Sequence, residues 1–290
     1  MNRKKHSIHC PCGSKKYFSQ CCEPYFSILG LKSPPLESET LLLSWLEDYS
    51  TPIVQAFMQK ARIYVFRISS YLDEIAEKYF SLGFQGYASD QEYADRSIFH
   101  IKHNILLSMF AALSCLSQGL FLQSGVILRS LCEDCLVLID LFENKGQIDK
   151  FLQNEYSTKN LVSRVKKFTP NDVVQWYGYF SANFAHFGPL HPAPYLPRAC
   201  YPENWIIVVG LQNIVRSITT FHLVLERLYF DQTTQPLFWK RTAGKPDLVF
   251  NEDSIVFEWT EKLGKEIVSN YPPDERKKGF FYDTKSYRTK

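Results

Sequence analysis

From residue 52 onward, apolar side chains return every three or four positions, the interval that places them on one face of an α-helix. Ile53, Phe57, Ala61, Val65, Ile68 and Leu72 form the first stripe, in a helix expected to begin at Pro52 and run to about residue 80. A second, over 91–117, carries Ile98, Ile101, Ile105, Met109, Ala112 and Leu116. The same periodicity predicts helices over 120–142, 148–168, 171–187, 203–229 and 254–269, with a short one over 37–49. Only 248–250 suggests a brief strand. The expected fold class is therefore all-α, a multi-helix bundle.

Punctuation divides the chain. Gly30 to Pro35, with Pro34 and Pro35 back to back, cannot continue a helix and reads as a linker. Prolines 189, 192, 194, 197 and 202 make 187–202 an extended connection. Pro272 and Pro273 end the last helix ahead of a basic tail. The domains expected are 1–30, a small head; 31–235, the helical bundle; and 236–290, an extension with one helix and the tail.

Composition agrees with a folded chain: of 290 residues, 45% are apolar, enough for a sizeable core and too many for a disordered or fibrous chain. The net charge of +3 conceals a gradient. Residues 1–22 hold Arg3, Lys4, Lys5, Lys15 and Lys16 with no acid, and 274–290 hold six bases against three acids, so the body between them is mildly acidic. No apolar segment follows the basic start, so no signal peptide is expected. The apolar stretches 105–122 and 206–224 are interrupted by Ser, Gln, Asn, Arg and Thr, and neither is expected to span a membrane. A cytoplasmic location follows, with thiols kept reduced.

Eight cysteines then become informative, because Cys10, Cys12, Cys21 and Cys22 lie within thirteen residues. A C-x-C pair eight residues ahead of a C-C pair suits tetrahedral Zn2+, whose binding would supply folding energy that so short a segment cannot draw from a core. Gly13 and Ser14 fit the tight turn after the first pair, and His6 or His9 could stand in for a thiolate. These residues, with Phe18, resemble the SEC-C family, a small zinc-binding motif named for the C-terminal tail of the SecA translocase. Lys15 departs from the family's second glycine. The resemblance covers about residues 8–24. It implies a zinc knuckle that contacts protein partners or nucleic acid, with all four metal positions filled by protein and none open for catalysis. The basic knuckle and tail suit an acidic protein surface or a phosphate backbone. Tyr17 and Phe18 could stack on bases or form the knuckle's own small core.

The helix over 120–142 is apolar on nearly every side yet contains Arg129 and Glu133, four apart on one face. They read either as an ion pair fixing helix register or as the lining of a polar pocket. In 171–187, Tyr179, Asn183 and His186 form one polar stripe among Trp176, Phe180, Phe184 and Phe187. Ser181 lies about 140° from His186 around that helix, so the two are not a nucleophilic pair. Cys132 and Cys135 form C-x-x-C on a helix, without the strand-to-helix turn of a redox motif, and read as core thiols. The run Arg129-Ser130-Leu131-Cys132-Glu133, with Ser181 and His186 downstream, is similar to an uncharacterised helical bacterial family, which implies a fold and no activity.

Arg96 and His103 in RSIFHIKHN resemble the R-x(4–6)-H motif of the HEPN ribonucleases, helical bundles in which the arginine steadies phosphate and the histidine engages the 2′-hydroxyl. The candidate catalytic residues are thus Arg96, His103, Arg129, Glu133 and His186, and the candidate metal ligands Cys10, Cys12, Cys21 and Cys22. Taken together these features favour a zinc-binding interaction or regulatory protein, its knuckle docking the helical domain onto a partner, with bacterial stress or phage defence as the setting the resemblances imply. The alternative is a metal-independent ribonuclease effector.

Overall fold

The computed structural model describes residues 51–185, 204–242, 248–251 and 255–270. Its helices are α1 (Thr51–Tyr79), α2 (Gln91–Ser117), α3 (Phe121–Glu143), α4 (Gln147–Leu152), α5 (Leu161–Val165), α6 (Asn171–Phe180), α7 (Asn204–Leu228) and α8 (Ile255–Asn270). Strands β1 (Trp239–Arg241) and β2 (Leu248–Phe250) form an antiparallel pair with Trp239 opposite Phe250. Helix accounts for 77% of the described residues, so this region is all-α.

The buried positions of α1 are Ile53, Phe57, Ala61, Tyr64, Ile68, Leu72, Ile75 and Tyr79, and those of α2 are Ala94, Ile98, Lys102, Ile105, Met109, Ala112 and Leu116. Their steps of four and three average close to the 3.67-residue interval of a nearly straight helix, so one stripe faces the core over the full length of each. That interval corrects the expected stripes at two places. Tyr64 rather than Val65, and Lys102 rather than Ile101, take the buried positions.

Helix α3 packs chiefly against α2 and α7, and α7 also carries α1 and α8 on its flanks. Both central helices are buried on most sides, as the apolar run in each demands. Phe238 and Trp239 of the β1 region and Leu263 and Ile267 of α8 belong to the same core. By length and composition alone α2 and α7 are apolar enough to cross a membrane. Of the apolar window in α7, 83% is buried inside the bundle, which accounts for its hydropathy as a core helix.

The helix expected over 148–168 is broken into α4, a turn, α5 and a 3₁₀ turn at Lys166–Phe168. Asn154 and Asn160 adopt φ of 60°, a left-handed conformation that asparagine tolerates and that ends a helix. The helix expected over 171–187 changes at Ser181 from α to a π-helical turn, Ser181–Ala185. Gly125 of α3 makes room for it, since a Cβ there would meet the Phe184 ring at 2.0 Å. The short helix expected at 37–49, the cysteine cluster, the proline-rich connection 187–202 and the basic tail lie outside the described residues.

Candidate functional site

Several charged or titratable groups are sealed in the interior, and each has a full set of partners. Lys102 donates from Nζ to the carbonyl oxygens of Tyr79 at 3.0 Å and Leu82 at 2.7 Å, and to the Tyr229 hydroxyl at 3.3 Å. Tyr79 is the last residue of α1 and Leu82 lies just beyond it, so the lysine ties down that helix end from a neighbouring helix. Burial lowers its pKa to about 8, against the pull of Asp95. Beside it, His222 of α7 sits between two tyrosines, with Nδ1 2.6 Å from the Tyr71 hydroxyl and Nε2 3.3 Å from that of Tyr79. Burial, with help from Lys78, lowers the pKa of His222 to about 3. The ring is neutral at ordinary pH, with one nitrogen donating and the other accepting.

One turn further along α7, the carboxylate of Glu226 accepts from three successive backbone N–H groups, those of Leu237 at 2.8 Å, Phe238 at 2.6 Å and Trp239 at 3.0 Å. Burial raises its pKa and the three donors oppose the rise. Glu226 therefore pins the start of β1 to α7. Asp140 of α3 does the same for the turn after α4. It accepts from Arg164 Nε at 2.9 Å and Nη2 at 2.6 Å, from the Tyr156 hydroxyl at 2.8 Å and from Asn144 Nδ2 at 2.7 Å. These are structural devices: the charge is buried and every direction around it is met.

The surroundings of α6 differ. On its α3 side, Arg129 holds Glu133 at 2.8 Å and donates to the Tyr177 hydroxyl at 3.0 Å, with the guanidinium carbon 5.3 Å from the Tyr177 ring centre. The pair anticipated from the spacing forms, half-buried and reached by solvent, its side chains 30% and 23% exposed. Arg129 Nε and Ser181 Oγ are buried with no hydrogen-bond partner among the described residues. Asp134, next to Glu133, has its pKa raised to about 6 by burial and then by its neighbour's charge. Ser181 opens the π-helical turn, a distortion that recurs at functional sites.

On the α7 side of α6, Arg216 lies with its guanidinium carbon 4.5 Å from the centre of the Trp176 ring. Burial lowers its pKa. Among the described residues it has neither a hydrogen bond nor an ion pair.

Arg96 and His103 both stand on the exposed outer face of α2, two turns apart and about 10 Å along the axis. Arg96 faces Glu92 at 3.6 Å, while His103 stacks on Phe99 with ring centres 6.0 Å apart. The structure gives the two no common contact. His186 and the four N-terminal cysteines lie outside the described residues, and among those described no group of three metal-ligating side chains occurs. Cys132 and Cys135 are fully buried and not disulfide-bonded; burial pushes the Cys132 thiol up to about 12, with a hydrogen bond to Ser217 opposing the rise, which keeps it protonated at neutral pH.

Sequence reasoning singled out Arg129 and Glu133 but passed over Lys102, Asp140, Arg216, His222 and Glu226. Lys102, Asp140, His222 and Glu226 take buried positions in their helices, and Lys102 follows the buried Ile98 by four residues, which was the available signal. What fold and site together define is a helical bundle with one closed and one open polar region. Comparison with family models, curated proteins and solved structures finds no match.

Proposed function

We propose that this is a zinc-binding interaction protein, in which Cys10, Cys12, Cys21 and Cys22 hold Zn2+ and the resulting basic knuckle docks the helical bundle onto an acidic protein partner. The observation that carries this reading is the spacing of the four cysteines with Gly13 and Ser14 between the pairs. The bundle adds a surface suited to it. The outer face of α2 exposes Tyr93, Phe99, Leu107 and Phe110 beside Arg96 and His103, a mixture of aromatic, aliphatic and basic groups typical of contact surfaces. The sealed charges of the interior have structural work and leave little for catalysis there. Metal analysis of the purified full chain tests the reading. About one equivalent of zinc, lost in Cys21→Ser, is expected. Less than about half an equivalent, unchanged by Cys21→Ser, contradicts it.

A further inference from the structure

The guanidinium of Arg216, without an acid among the described residues, has no role in zinc binding or in the outer face of α2, and what it could hold follows from its geometry. An arginine partly drawn into a bundle normally finds a carboxylate. In this bundle Arg164 has Asp140 and Arg227 has Glu143 at 2.7 Å. Among the described residues Arg216 has the face of Trp176 and no hydrogen bond or ion pair. An indole satisfies one face of the guanidinium plane electrostatically and leaves the edges, where the N–H groups are, without acceptors. Arg216 is half-buried, not sealed in the core. The ring that Arg216 covers is itself braced, since Tyr179 meets Trp176 edge-on at 5.0 Å and Phe180 stacks on it at 5.5 Å. A cation fixed on a braced aromatic platform, with its donor edge open, is a preorganised half of a bidentate contact.

We propose that Arg216 and Trp176, at the seam of α6 and α7, form a binding site for an oxyanion that presents two coplanar oxygens, carried by a phosphate ester or a carboxylate. The fork of Arg216 takes the two oxygens in its plane. Trp176 keeps that plane from turning and offers its remaining surface to the apolar part of the ligand. The proposal stands independently of the zinc knuckle. A chain that binds no metal would still bind the anion, and a zinc-loaded chain could lack the site.

The test is a titration of the full chain with inorganic phosphate and, separately, with acetate, at constant ionic strength in chloride, followed through the indole N–H resonance of Trp176, which is assigned by its loss in Trp176→Phe. The expected result is a saturable shift of that resonance with at least one of the two anions, the more effective one identifying phosphate or carboxylate as the source. In Arg216→Gln the half-saturating concentration rises by about tenfold or more. Arg216→Lys, which keeps charge and fold but not the fork, weakens binding in the same direction and keeps the experiment decisive should the glutamine variant not fold. No saturable shift with either anion, or the same titration in native, Gln and Lys proteins, overturns the proposal.

Discussion

Two polar regions of one bundle are built from the same kinds of residue and end differently. Around the end of α1, Lys102, His222 and Glu226 are buried to the point that water is excluded, and carbonyls, hydroxyls and backbone N–H groups meet each of them. Around α6, among the described residues, Arg129 and Ser181 each keep an unmet polar atom, and Arg216 rests on an indole without an acceptor. The first pattern is what a charge needs in order to be part of a core, because an unmet buried charge is strongly destabilising. The second is tolerated only where something else, ligand or solvent, completes it. Burial alone therefore does not distinguish a structural charge from a binding one; the count of satisfied donors and acceptors does.

Removing a member of a closed set is expected to have the largest effect. Asp140→Ala leaves the Arg164 guanidinium, Tyr156 and Asn144 without their common acceptor, and should cost roughly 3–5 kcal/mol in chemical denaturation, a fall in melting temperature of roughly 10 °C. A loss under about 1 kcal/mol would place Asp140 outside the closed class.

Next in size is the pH dependence of His222. Its pKa is near 6.5 when unfolded and about 3 in the fold, so between these values the unfolded chain binds a proton that the folded chain refuses. Stability from this residue is complete above about pH 6.5 and lost as pH falls toward 3, at about 1.4 kcal/mol per pH unit. His222→Gln, which retains hydrogen-bonding groups toward both tyrosines, should show a shallower acid slope than the native protein. Equal slopes would mean that the folded histidine takes up its proton as freely as the unfolded one.

Much of this architecture was legible in the spacing of apolar residues. Five long helices fall where periodicity places them, because a one-face stripe has only one regular structure that buries it. The break after α4 was not legible, since Asn154 and Asn160 interrupt an apolar pattern that continues on both sides. Nor was β1, a three-residue strand fixed by a carboxylate on α7 rather than by its own alternation. Of the site, the Arg129–Glu133 pair could be read from its i, i+4 spacing. Arg216 could not, because a single arginine in an apolar helix looks the same whether it meets an acid, as Arg227 does, or an indole.

The contrast between the regions rests on Arg216, and its stability effect is the most direct measurement of it. In urea denaturation at neutral pH without phosphate or carboxylate buffers, Arg216→Met should lie within about 1 kcal/mol of the native protein or be more stable, since methionine replaces the stem and removes an unmatched charge. A loss of about 3 kcal/mol or more, the size expected for Asp140→Ala, would show that Arg216 is a satisfied structural charge and that the two regions do not differ.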